Sequence, residues 1–336
     1  MAGERDPVEQ AAPGSTDLYG IATWEPRSWL DRLAAGFYRL LTLTSRVVIV
    51  AAAFFILVAI GGLSAIADPQ TAVLTLLSAI PAFGLAGYVW YTDVTSEPLS
   101  LLVGTFFLGV LTATFAAVLN SAFEPYFQGL AFLGSVLFFF LVVGPVEETV
   151  KLLAIRLFAY GSDRFDTVLD GAVYGAMAGL GFAFIENALY IQREVPVAEL
   201  EFGVSLIGVG GGITAVRAVA GPGHVIYSAF AGYYLGLAKF NPEHRGPIVI
   251  KGILVAAFIH GLYNSTTDIG TFLIHSGTGL PVLVSFLVYV VIYDGFWGYL
   301  LFKKIRAYRK VYQETGGGGA VGSSFEFGSE AKTERR

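Results

Sequence analysis

The chain has 336 residues, 55% of them hydrophobic and only 14% charged. Soluble domains carry about 25% charged residues, so a water-soluble globular class is excluded and a lipid bilayer is the expected surrounding. The net charge of −5 points to no polyanionic partner, so no nucleic acid is expected, and the lack of cysteine excludes disulfides, thiol nucleophiles and thiolate metal sites.

Residues 1–28 are rich in Pro, Gly, Ala, Asp and Glu and are expected to be disordered. From Trp29 to Arg46 the apolar Leu33, Phe37, Leu40 and Leu41 recur at helical spacing, with Arg32 and Arg39 elsewhere. That pattern predicts an amphipathic helix on the membrane surface. The first long apolar run starts at Val47, too late for a cleavable signal peptide. Val47–Ala67, Ala72–Tyr91 and Leu101–Leu119 hold no charge, and each suffices to cross a ~30 Å hydrocarbon core. Further spans are expected at 132–158, 168–190, 222–239, 248–266 and 279–302, which makes an all-α polytopic bundle of about eight spans. Residues 315–336 include a glycine run, end in charges and read as a flexible tail. The expected organisation is a cytoplasmic segment with its interfacial helix (1–46), three accessory spans (47–120), a catalytic membrane domain (121–302) and a cytoplasmic tail (303–336).

The stretch 202–220 is apolar but Gly-rich and holds Arg217, so it reads either as a ninth span or as a re-entrant or interfacial segment. Charge bias decides between them. With eight spans, 202–220 not crossing and both termini in the cytoplasm, all of the 21 Lys and Arg except Arg193 and Arg217 lie in inside segments or at their helix ends. Cytoplasmic loops carry that excess. The expected location is the plasma membrane, multi-pass.

Ionisable groups inside a bilayer are costly and usually functional. They fall here in four places: Gly144-Pro145-Val146-Glu147-Glu148-Thr149-Val150-Lys151 on the fourth span, Phe182 to Asn187 with Glu186 on the fifth, Gly221-Pro222-Gly223-His224 opening the sixth, and His260-Gly261-Leu262-Tyr263-Asn264 on the seventh. At ~1.5 Å per residue, Glu148 lies roughly 15–20 Å from the cytoplasmic end of its span, Glu186 roughly 27 Å, His224 roughly 22 Å and His260 roughly 18 Å, one layer within the error of the boundaries. Gly171, Gly175 and Gly179 recur at four-residue spacing, which lets a neighbouring helix approach closely. Arg217 reads as an interfacial charge or as the holder of a site carboxylate, with the first preferred. Asp170 and Asp294 are expected nearer the cytoplasmic surface, where water reaches them.

Two histidines with one or two carboxylates form the kind of ligand set that binds Zn²⁺. A spare glutamate beside such an ion would serve general-base hydrolysis. No His-Glu-x-x-His run exists, which excludes a zincin-type site. From the spacing alone a proton- or ion-coupled transporter is equally open, since carboxylate and histidine chains also relay protons.

At these residues the sequence resembles the PrsW family of intramembrane proteases, related to the CAAX prenyl endopeptidases and bacteriocin-immunity-type membrane proteins. The likeness covers roughly 132–265. Glu147-Glu148-Thr149-Val150-Lys151 resembles the paired-glutamate motif. Asp170-Gly171, Tyr174-Gly175, Gly181-Phe182-Ala183 and Glu186-Asn187 resemble the second motif, His224 the third, and His260 to Asn264 the fourth. The resemblance implies a membrane-embedded endopeptidase that cuts a membrane-anchored protein substrate, of the anti-sigma-factor type or another. It implies Glu147 or Glu148 as general base with the other orienting or binding metal, Glu186, His224 and His260 as metal ligands, and Asn264 as an oxyanion donor. The same residues would also support a glutamate mechanism without metal.

Overall fold

A computed structural model describes residues 7–11, 14, 16–195 and 212–315. Among them eight long helices follow one another: α1 (Trp29–Ala59), α2 (Pro69–Tyr91), α3 (Leu99–Phe123), α4 (Ala131–Phe138, a π turn at Phe139–Val143, then Gly144–Leu157), α5 (Val168–Glu194), α6 (Ile213–Lys239), α7 (Arg245–Thr278) and α8 (Val282–Glu314). All but α6 are long and apolar enough to cross a membrane. Helix α6 has the length, but Arg217, the Gly221-Pro222-Gly223 run and His224 interrupt its apolar stretch. The outward faces of α1, α2, α7 and α8 present Phe55, Ile80, Leu254 and Ile292, as a lipid-facing surface requires.

Several boundaries differ from expectation: α7 and α8 run on to Thr278 and Glu314, past the expected ends at 266 and 302, so the first part of the expected tail is helical. The surface helix and the first span are one helix, α1, because no Gly or Pro between Gly36 and Ala59 interrupts the helical register. Its start is fixed by a capping box: Asp31 N–H donates to Ser28 Oγ at 3.1 Å, and Ser28 N–H donates to Asp31 Oδ2 at 2.7 Å. Asp31 also accepts from Tyr19 and Trp24, so residues 19–28 are held against α1 and are not disordered. Finally, α6 begins at Ile213, and Pro222 lies inside it. The 213–220 half of the ambiguous stretch is therefore helical and continuous with the sixth span. Residues 202–211 and 316–336 fall outside the described residues.

Helix α5 is the central post. Of its apolar membrane-length stretch 89% is buried, against 44% or less for the six other helices apolar enough to cross. Its sequence permits this, since Gly and Ala dominate from Gly171 to Ala183. A methyl group added at Gly171, Gly175 or Gly179 would strike the carbonyls of Gly232, Ser228 and His224 on α6. The four-residue glycine stripe thus places two backbones in contact, and its last member sets the depth of His224. Asp170, expected in water, is fully buried in a capping box with Thr167. Asp294 is also buried and accepts from Tyr227 Oη at 3.3 Å.

Candidate active site

Helix α4 presents its two glutamates through a local irregularity. The π turn at Phe139–Val143 sits immediately before Gly144-Pro145. Proline supplies no N–H to the helical ladder, and π turns of this kind absorb such a gap and often mark functional positions. Gly144 packs on the backbone of Ala257, and Gly261 packs on Phe139 and Phe140. Two glycines thus bring α4 and α7 close at the level of Glu147, Glu148 and His260. Consecutive residues on a helix point about 100° apart, so the two glutamates have different surroundings.

Glu148 is the internal hub and is 0% exposed. Its Oε1 accepts from Lys151 Nζ at 2.7 Å and lies 3.0 Å from His260 Nδ1. Its Oε2 lies 3.5 Å from Ser228 Oγ. Lys151 Nζ is also 3.0 Å from His224 Nδ1 and 4.3 Å from the Phe182 ring centre. An ammonium group only donates, so His224 Nδ1 accepts and its proton sits on Nε2. That Nε2 is 3.0 Å from Glu186 Oε2. Glu186 is also paired with Arg217, whose Nε donates to Asn187 Oδ1 at 2.7 Å.

Glu147 differs from Glu148. It is 5% exposed; its Oε1 accepts from Asn120 Nδ2 at 3.1 Å, while its buried Oε2 has no hydrogen-bond partner. That oxygen is 3.8 Å from His260 Nε2 and 3.9 Å from Lys151 Nζ. One carboxylate oxygen of Glu147 and one ring nitrogen each of His224 and His260 lie within 4.8 Å of one another, close enough to hold a metal ion. An orphaned buried carboxylate oxygen is costly unless a cation or proton completes it. His260 is pre-set for a metal, because its Nδ1–H is directed at a carboxylate and Nε2 is left free. His224 would ligate through Nε2 only as its other tautomer, with the proton moved to Nδ1 and the Lys151 ammonium no longer donating to that nitrogen.

These groups face a cavity of about 550 Å³ whose wall includes Asn120, Glu147, Glu186, Arg217, His224, His260 and Asn264. It extends to Ile60, Glu124 and Arg193 at one end of the bundle and to Phe286 on α8. The four sequence motifs therefore converge, as the depth count required. The partition of roles shifts in two respects. Glu148 is not on the cavity wall, so of the paired glutamates only Glu147 faces the cavity. The most closely gathered ligand set is Glu147, His224 and His260, and Glu186 stands beside it on Arg217. Arg217 is not the interfacial charge preferred from its sequence position but the partner of Glu186, and a lone arginine in an apolar run is itself a sign of a buried counter-ion. Asn120, Tyr227 and Ser228 carried no local signal, since a single polar residue in a span does not reveal what it faces.

Residues 97–296 match the model of a family described as PrsW family intramembrane metalloprotease. Curated relatives are named Protease PrsW. That of Geobacillus kaustophilus is 33% identical over 199 residues, covering 55% of this chain and 75% of the relative. That of Bacillus subtilis is 30% identical over 187 residues, covering 55% and 78%. That of Shouchella clausii is 29% identical over 196 residues, covering 57% and 81%. No solved structure matches the chain.

Proposed function

The chain belongs to the PrsW family of intramembrane metalloproteases, and on that premise we propose that it hydrolyses a peptide bond of a membrane-anchored protein substrate inside the cavity between α3, α4, α5, α6 and α7. Family membership favours the protease over the ion-coupled transporter. The observation that carries the proposal is the unpartnered Oε2 of Glu147, buried beside the rings of His224 and His260.

Glu147, His224 and His260 would hold the ion, and two imidazoles with a carboxylate suit Zn²⁺. An ion held there would supply Lewis acidity, to acidify water and polarise a carbonyl. The remaining residues orient and move protons. Glu148 fixes the tautomer of His260. Asn120 fixes the rotamer of Glu147. Glu186 Oε2, released from His224 Nε2 when the His224 proton moves to Nδ1, would be the cavity carboxylate left to take a proton from the attacking water. Arg217 keeps Glu186 on the wall and ionised. Asn264, one turn beyond His260, offers an amide N–H to the developing oxyanion. A substrate helix must unwind locally to expose a carbonyl, because a helical backbone keeps its polar groups paired in lipid. On this basis the division near residue 120 is kept as a proposal, with Asn120 as the contribution of the accessory helices.

Purified protein in proteoliposomes is expected to contain about one equivalent of Zn²⁺ and to cut a co-reconstituted single-span substrate. Chelation should stop cleavage and Zn²⁺ should restore it. Ion flux across the same vesicles without cleavage of any single-span substrate would replace the protease with the transporter.

Both termini are proposed to be cytoplasmic. Eight successive helices return the chain to the side from which it started, and the lysine and arginine bias selects that side. A cysteine introduced at Arg245 in this cysteine-free chain should react with impermeant maleimide only after the membrane is opened. Labelling in intact cells would reverse the topology.

A further inference from the structure

About 24 Å along α5 from Glu186, at the other end of the helix, a second group of carboxylates lies outside the active site. The connector between α2 and α3 folds onto the first turns of α5 and brings Asp93 and Glu97 against Asp170. One oxygen of each lies within 4.8 Å of the other two. Asp170 is 0% exposed: it accepts locally from the Thr167 hydroxyl and from the N–H groups of Asp166 at 2.6 Å and Thr167 at 2.8 Å, and across the connector from Thr95 Oγ1 at 3.4 Å. Glu97 is 5% exposed, and its Oε2 accepts from the Tyr174 hydroxyl. Two oxygens are left over. Glu97 Oε1 and Asp93 Oδ2 are both closed to solvent and have no hydrogen-bond partner.

The nearby protein cations are committed elsewhere. Lys239 Nζ donates to the carbonyls of Tyr160, Ser162 and Phe165 at 3.0, 3.2 and 2.7 Å. Arg164 donates to the carbonyl of Ser96 at 2.9 Å. The cluster therefore holds two buried carboxylate oxygens without a hydrogen-bond partner, and Arg164 and Lys239 act on it only through space, with their hydrogen bonds spent on carbonyls. Burial, and then the charge of Asp170, push the Asp93 carboxyl up to about 8, and burial pushes Glu97 up to about 7.

We propose that Asp93, Glu97 and Asp170 form a binding site for a hard divalent cation, Ca²⁺ or Mg²⁺, that fastens the α2–α3 connector to the start of α5. The donors are all oxygen, which selects hard cations. The set contrasts with the imidazole-rich active site, so the two sites sort different metals. Three carboxylates with the Thr95 hydroxyl beside them leave room for waters, which Mg²⁺ retains and Ca²⁺ accepts.

The test uses the full chain in nanodiscs, stripped with chelator and reloaded with Zn²⁺ so that the active site is occupied. Adding Ca²⁺ or Mg²⁺ should raise the thermal midpoint by on the order of 5 °C, and the ion giving the larger rise at equal concentration is the better ligand. Tb³⁺, which resembles Ca²⁺, should give saturable tyrosine-sensitised emission through Tyr174, displaced by the same ion. The Asp93→Asn/Glu97→Gln double variant should lose both responses and keep its Zn²⁺. No midpoint shift with either ion in the wild type would overturn the site, as would an unchanged Tb³⁺ signal in the double variant. Should that variant fail to fold, the wild-type Tb³⁺ titration decides alone, since absence of saturable, displaceable emission rules the site out.

Discussion

Glu147→Gln is expected to empty the metal site and reduce cleavage to background, whereas Glu186→Gln should keep the metal and lose cleavage by roughly 10²–10⁴-fold, the usual contribution of a general base. The two carboxylates face one cavity but differ in their other bonds. Glu147 has an oxygen with no partner beside both histidines, and an amide in its place offers a neutral, weaker ligand. Glu186 is bound to Arg217 and to His224 Nε2. Its amide would retain the bulk and an oxygen that accepts from Arg217, and would lose the negative charge and with it the ability to accept a proton. Metal content of each purified variant, measured beside cleavage of a single-span substrate, separates the roles. Wild-type metal content in Glu147→Gln would remove that residue from the ligand set. Cleavage by Glu186→Gln at the wild-type rate would show that another group takes the proton.

The second large effect is on stability. Glu148→Leu should destabilise the protein by about 3–5 kcal/mol, because it leaves Lys151 charged and unpaired in the interior. The pair is 2.7 Å apart with side chains 1% and 0% exposed, so solvent does not screen it. Glu147 Oε2, 3.9 Å away, is too distant to replace Glu148 as a hydrogen-bond acceptor. Adding Lys151→Met should recover most of that loss, since removing both charges of a buried pair is often close to neutral. Chemical unfolding in a fixed detergent, run as a double-mutant cycle, measures the coupling. Independent, additive losses would show that the two side chains do not act as a unit. Activity should not return in the double variant, because His260 would still lack the carboxylate that directs its Nδ1–H.

Much of this molecule can be read from local pattern. Charge-free runs of membrane length mark the helices, because the bilayer requires long apolar stretches with all backbone groups paired. Glu147, Glu148, Glu186, His224 and His260 stand out for the same reason, as ionisable groups in the wrong solvent. Counting depth along each helix was enough to expect them in one layer. The stripe of Gly171, Gly175 and Gly179 indicated close packing without naming the partner, which proved to be α6.

Element boundaries were less legible. An amphipathic surface helix and a spanning helix share one periodicity, so their fusion in α1 leaves no mark. Pro222, flanked by Gly221 and Gly223, reads as the start of a span, although α6 begins at Ile213 and runs through it, because tertiary neighbours can support a proline inside a membrane helix.

The sequence by itself determined the membrane class, the helices and the list of reactive side chains, since each follows from how a short segment meets lipid. Only the tertiary structure decided which glutamate faces the cavity, that Arg217 holds Glu186, that Asn120 reaches Glu147, and that Asp93, Glu97 and Asp170 meet at the far end of α5. The reason is geometric: neighbouring helical residues point about 100° apart, and a single π turn changes that phase. The partner of a buried charge therefore depends on how helices distant in the chain are rotated and packed against one another.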